Sequence, residues 1–226
     1  MVRWNGVNLV LKRLIFPHSF VMSVNSSFLR GICGTLVFAS VAQFLLAMTA
    51  SEELYPYVNH VGYSVSLNYI SDLGVGGTAV IFNTSIVILG LSVIVSAYLV
   101  YSLFGSRSLL VTLFLAGIGA TGVGTFPETH PLFHTIFSLI TFLFAGLSAV
   151  LSYRVVSRWF GVFSVFLGLL SLVSLALYIR GSYLNLGTGG MERMVVYPVL
   201  FWALGFGGYL MGRPPPARAA DRVGIS

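Results

Sequence analysis

Charge is what this sequence has least of. Only 8% of its 226 residues are Asp, Glu, Lys or Arg, against about a quarter in soluble domains. With 57% hydrophobic residues and a mean hydropathy of +0.93, lipid rather than water is the expected solvent. A single cysteine, Cys33, excludes an internal disulfide and a cysteine-built metal cluster. Lysine is nearly absent (Lys12 alone), so the net charge of +6 is carried by arginine. On such a chain the basic excess is an orientation signal, and no nucleic-acid partner is implied.

What the sequence does have is six long apolar runs, at about 32–49, 80–104, 109–126, 132–153, 159–179 and 195–211. Each is near the roughly 20 residues a spanning helix needs. The first is longer than the apolar part of a signal peptide and no clean small-x-small cleavage site follows, so it reads as a retained helix. The expected fold is an all-α bundle of six transmembrane helices. The chain divides into a basic N-terminal segment (1–29), the membrane domain (30–212) and a Pro/Arg tail (213–226). Residues 7–16 are partly amphipathic and could lie on the membrane surface; the alternative is a mobile segment, or translation starting at Met22.

Charge orients the bundle. Arg3, Lys12, Arg13 and Arg30 precede the first run, Arg107 follows the second, Arg154 and Arg158 follow the fourth, and Arg213, Arg218 and Arg222 follow the sixth. Only Arg180 and Arg193 lie at the other end. The positive-inside rule then puts both termini in the cytoplasm and implies a plasma-membrane protein. Glu52, Glu53, Asp72, Glu128 and Glu192, with His60, His130 and His134, fall on the outer side. Any site faces outward.

Residues 50–78 are too long for a mere connector. Tyr63, Val65, Leu67 and Tyr69 alternate with Ser64, Ser66, Asn68 and Ile70, a period of two that suggests a short β-hairpin over the bundle mouth. Asp72 follows, either as a turn acceptor or as a carboxylate brought to the membrane edge. Asn83, four residues into the second helix, is expected to face the interior.

The densest chemistry is Phe126-Pro127-Glu128-Thr129-His130-Pro131-Leu132-Phe133-His134. Pro131 suits the first turn of a helix, so His130 is at the cap and His134 one turn along on the same face. His-x3-His could hold zinc if a third ligand such as Asp72 arrives from another loop. The competing readings are an acid/base set of Asp72, Glu128 and His134, or a structural cluster. In the last outer loop, Gly187-Thr-Gly-Gly lacks the Gly-Lys-Ser/Thr of a phosphate loop. Arg180 and Arg193 defy the orientation bias and so need a partner: Glu128, Asp72, or an anionic lipid phosphate. Small residues four apart in the third run (Ala116, Ala120, Gly124) and sixth run (Gly208, Gly212) allow close helix approach, within one chain or in a homo-oligomer.

Asn68-Tyr-Ile-Ser-Asp72-Leu-Gly74 leading to Phe82-Asn83, then Phe126-Pro-Glu128, His134 and Glu192-Arg193-Met-Val-Val-Tyr-Pro198, resembles an archaeal and bacterial membrane family, domain of unknown function 998. The resemblance spans about 30–212 and implies fold and location rather than chemistry. Ile-Ser-Asp-Leu-Gly also resembles the Tyr-Ile-Ser-Asp-Thr-Gly element of the Frag1/DRAM/Sfk1 group, six-helix proteins linked to lipid organisation. There a Pro-Pro-Glu follows; here Gly76-Gly77 stands instead.

Together these point to an outward-facing acid/His/Arg site that binds or acts on lipid head groups. Asp72, Glu128 and His134 would carry chemistry, while Arg180, Arg193, Asn83 and Asn68 would hold ligand. The alternative is a non-enzymatic membrane protein whose cluster locks its outer loops. A small-solute transporter ranks third, since no charge is expected deep in a span.

Overall fold

The computed structural model describes residues 26–212; the expectations for the N-terminal segment and the tail fall outside them. Six helices among the described residues are long and apolar enough to cross a membrane. They are α1 (Ser26–Asn59), α2 (Ala79–Phe104), α3 (Arg107–Thr125), α4 (Pro131–Leu151), α5 (Arg158–Ile179) and α6 (Gly187–Gly212). Large side chains such as Leu46, Val80, Leu91, Phe166 and Phe201 face outward. In water they would form continuous apolar patches, whereas lipid covers them without cost. The chain is an integral membrane protein.

The helices form a ring. Each packs on its sequence neighbours, α6 closes back onto α1, and α6 also leans across the interior to touch α4. The small residues of α3 make this possible inside one chain. Gly117 sits 2.8 Å, measured from where a Cβ would be, from the Gly90 carbonyl of α2, while Gly119 lies 2.9 Å from the Phe137 carbonyl of α4. On α6, Gly207 meets the Gly34 carbonyl of α1 at 2.8 Å. Buried polar side chains join helices as well. Gln43 donates to the Ser85 carbonyl (2.8 Å), Ser171 to the Val195 carbonyl (2.7 Å), and Trp202 Nε1 to Ser152 Oγ (3.1 Å). In lipid such bonds replace the hydrophobic drive that water would supply.

Local sequence sets the helix ends. Gly105 stops α2 in the left-handed region (φ 66°) and bonds back to the Tyr101 carbonyl, and Ser106 caps α3 through Leu109 N–H. Pro131 opens α4 at its first turn as expected.

Two boundaries differ most from the hydropathy reading. α1 runs ten residues past Thr49, so its 34 residues span about 51 Å, well beyond a hydrocarbon core of about 30 Å. α6 begins eight residues before Val195, so Glu192 and Arg193 are helical and buried, each 5% exposed. Charge disguised both extensions as loops.

The expected hairpin is absent. Among the described residues 60–70 contain a turn, not a strand. The Ser64 carbonyl accepts Leu67 N–H and Asn68 N–H, while Asn68 Oδ1 accepts Ser64 N–H at 2.9 Å. The asparagine side chain satisfies the backbone locally, which outcompetes the ladder that alternation suggested.

Two short 3-10 turns (Ser71–Gly74 and Gly76–Thr78) then lead into α2. Ile70 and Leu73 are buried with Phe44, Met48 and Phe82. This loop therefore plugs the mouth of the ring.

Candidate functional site

Two polar networks sit at the acidic end of the ring. The first is built on Arg193. Its Nη1 donates to the carbonyls of Val65 (2.8 Å), Asn68 (3.2 Å) and Gly189 (3.1 Å); its Nη2 donates to Glu52 Oε1 (2.5 Å) and to the Tyr63 hydroxyl (2.7 Å). The guanidinium also lies 5.8 Å from the Tyr63 ring centre. Burial pushes the Tyr63 phenol above its ordinary pKa, so it stays neutral and donates on to the Tyr69 carbonyl.

The start of α6 completes this lock. The N–H groups of Gly189 and Gly190, which a helix leaves unpaired at its first turn, bond to the Ser66 carbonyl at 3.0 and 3.3 Å. Thr188 donates its hydroxyl to the Leu67 carbonyl at 2.6 Å. A Cβ on Gly189 would collide with the Asn68 carbonyl. Gly187-Thr-Gly-Gly is thus a seat for a neighbouring loop's backbone. Arg193's acidic partner among the described residues is Glu52, not Glu128 or Asp72, because the longer α1 carries Glu52 alongside α6. Arg180 is exposed at the end of α5 and forms no ion pair among the described residues.

The second network holds the acids. Asp72 Oδ2 accepts Asn68 Nδ2 (2.9 Å) and Tyr69 N–H (3.0 Å), closing the turn that carries it. Ser71 next to it donates its hydroxyl to Glu128 Oε1. Glu192 Oε2 accepts the Ile70 N–H at 2.5 Å. His134 Nδ1 lies 2.9 Å from the Phe126 carbonyl; since a carbonyl only accepts, Nδ1 carries a proton, and in the Nδ1–H tautomer Nε2 is an acceptor. Burial, aided by the charge of Asp72, raises Glu128 above the usual carboxylate range, while the Ser71 hydroxyl and His134 oppose the shift. Asn83 donates to the Gly74 carbonyl (2.9 Å) and fastens the plug to α2.

So Asp72, Glu128 and His134 do come together. The proposed ligand trio of His130, His134 and Asp72 does not: no group of three His, Cys, Asp or Glu suited to a metal occurs among the described residues. His130 is exposed and turned to the Thr129 hydroxyl at 3.2 Å, and His134 has already committed one nitrogen. Nor is any serine hydroxyl bonded to a histidine among the described residues, as an acyl-transfer nucleophile would be.

Beneath the plug the ring encloses a cavity of about 130 Å³. Its wall comes from α1, α2, α3, α4, α6 and the plug; α5 is shut out where α6 leans on α4. The lining is carbon over most of its length, from Val100, Trp202 and Phe206 upward, with Ser71, His134 and Glu192 at the acidic end. Along α6, Glu192 and Phe206 are about 21 Å apart.

The sequence profile of DUF998, a protein of unknown function, matches residues 38–209. The chain belongs to the DUF998 family. Comparison with curated proteins and with solved structures finds no match, so the likeness to the Frag1/DRAM/Sfk1 group rests on its motif alone. In this DUF998 member the matched region covers the ring, the plug and both networks.

Sequence reasoning passed over Ser71, Glu52, Tyr63 and the interior position of Glu192. A signal for the last existed. Val196, Val199, Leu200 and Ala203 line the cavity, and stepping back four residues from Val196 lands on Glu192, on the same helix face.

Proposed function

We propose that this protein binds a membrane lipid inside its helical ring, with one hydrocarbon chain in the cavity and the polar head at Ser71, Glu128, His134 and Glu192. The observation that carries the reading is a narrow, carbon-lined cavity that ends at a polar group. Water gains little in such a space because it finds no partners there. Hydrocarbon fills it favourably, at about 25 cal/mol per Å² of apolar surface removed from water. The lining residues of α6 run about 21 Å along its axis, more than the roughly 15 Å half-thickness of a bilayer core.

Arg193 and Glu52 lock the plug rather than hold the ligand, so elements of both sequence readings are retained: a lipid site and a loop lock. Binding, rather than catalysis, is favoured because the serine at the site bonds to a carboxyl and not to a histidine of a Ser–His pair. The basic end faces the cytoplasm and the acidic end faces outward at the plasma membrane, by the distribution of arginine.

Mass spectrometry of lipid extracted from purified protein tests this reading. Roughly one single-chain lipid per chain is expected, lost when Ala120→Phe fills the cavity. Equal lipid content in wild type and in a folded Ala120→Phe variant would refute it.

A further inference from the structure

Resting on the reading that the cavity holds a lipid chain, we propose that the head it accepts is a hydrogen-bond donor, a primary amine or a hydroxyl, and that phosphate heads are rejected. Glu192 is 5% exposed and lines the cavity. Its Oε2 is occupied by the Ile70 N–H, while Oε1 has no hydrogen-bond partner among the described residues. His134 turns the same way: Nδ1 donates to Phe126, which leaves Nε2 to accept. The Ser71 proton is committed to Glu128, so its oxygen also has acceptor capacity left.

The end of the cavity therefore offers three acceptors to whatever enters. A donor head satisfies them, and an ammonium does so with charge-assisted bonds.

An anion meets the opposite arrangement. Glu128 and Asp72 stand behind Ser71, and Glu192 feels Arg193 as well as both of these acids through space. The one ion pair among the described residues is Arg193–Glu52, so no arginine is in contact with the carboxyls of Asp72, Glu128 or Glu192. Arg193 follows Glu192 in sequence, but successive helical residues point about 100° apart, and its guanidinium faces the loop. A phosphate would be placed against these carboxyls, while both Nη groups of Arg193 are already committed to Glu52, Tyr63 and three carbonyls.

Trp202 lines the far part of the cavity, which supplies a readout. In a Trp4→Phe/Trp159→Phe background, which leaves Trp202 as the one tryptophan, three probes of one chain length, each brominated at the chain end, would be titrated: an alkylamine, an alkanol and an alkyl phosphate. Quenching of Trp202 should be tightest for the amine, then the alcohol, with the phosphate about tenfold or more weaker than the amine. Glu192→Gln keeps an acceptor for Ile70 and removes the ionisable group, and should weaken the amine about tenfold while moving the alcohol less than about threefold.

Phosphate quenching as tight as amine quenching, or an amine affinity untouched in a folded Glu192→Gln protein, overturns the head assignment and leaves chain binding standing. Absence of quenching by all three probes in a cooperatively folded protein overturns chain binding and this proposal together.

Discussion

The Ile70 amide donates to Glu192 Oε2 across 2.5 Å, between residues 122 apart in sequence. That one bond ties the plug of the ring to the helix lining the cavity beneath it. It makes the mouth of the cavity and the loop lock parts of one structure, and the expected behaviour of variants follows from this coupling.

Arg193→Met should be among the most damaging single changes at the acidic end. It leaves the part-buried Glu52 without its partner and frees the carbonyls of Val65 and Asn68. Breaking a buried pair costs about 3–5 kcal/mol, so the thermal midpoint should fall sharply and proteases should cut at residues 60–70. Arg193→Met combined with Glu52→Gln should be milder than the sum of the single changes, because neither charge is left stranded. Purely additive losses would show that the two residues act independently.

Gly189→Ala and Gly208→Ala should part company. A methyl at 189 meets the Asn68 carbonyl, whereas nothing lies within 4 Å at 208. The first should cost about 1–3 kcal/mol; the second should be neutral or gain about 0.5–1 kcal/mol. Unfolding midpoints of the two proteins decide it.

Stability should fall with rising pH through the window that begins at the ordinary carboxylate value. Glu128 is held above that value when folded, so within the window the folded chain binds more protons than the unfolded one. Its contribution is complete below the unfolded pKa and is lost as pH rises through the folded pKa. Glu128→Gln, which keeps an acceptor for Ser71, should flatten this dependence in melts recorded across the acid range. An unchanged slope would assign the effect to another group.

Cysteine labelling checks the orientation. Cys33 is buried and is replaced by Ala for the experiment. Thr129→Cys, exposed at the acidic end, should react with an impermeant maleimide in intact cells, and Tyr153→Cys, exposed at the basic end, should not. The reverse pattern would invert the bundle.

The six helices were legible because lipid imposes a length and an apolar composition that no soluble fold requires. Asp72, Glu128 and His134 were legible because they are rare types gathered near helix ends. Glu52 and Glu192 were misplaced for the same reason that the runs were found. A charged residue ends a hydropathy run, yet α1 and α6 continue through theirs, because Arg193 neutralises Glu52 and a backbone amide satisfies Glu192. The hairpin failed because alternation records side-chain chemistry only, while Asn68 decided the backbone. Residue pairs brought together from 130 or more positions apart, such as Tyr63 with Arg193, leave no local trace.

The central claim is that the cavity houses a single lipid chain. A crystal structure of protein carried from native membranes in lipid discs, without detergent, tests it most directly. The account predicts one continuous tube of density running from Glu192 Oε1 down to Phe206, with a compact head between Glu192 and His134. A cavity that is empty, filled by isolated waters, or collapsed around Ala120 and Val196 would contradict it.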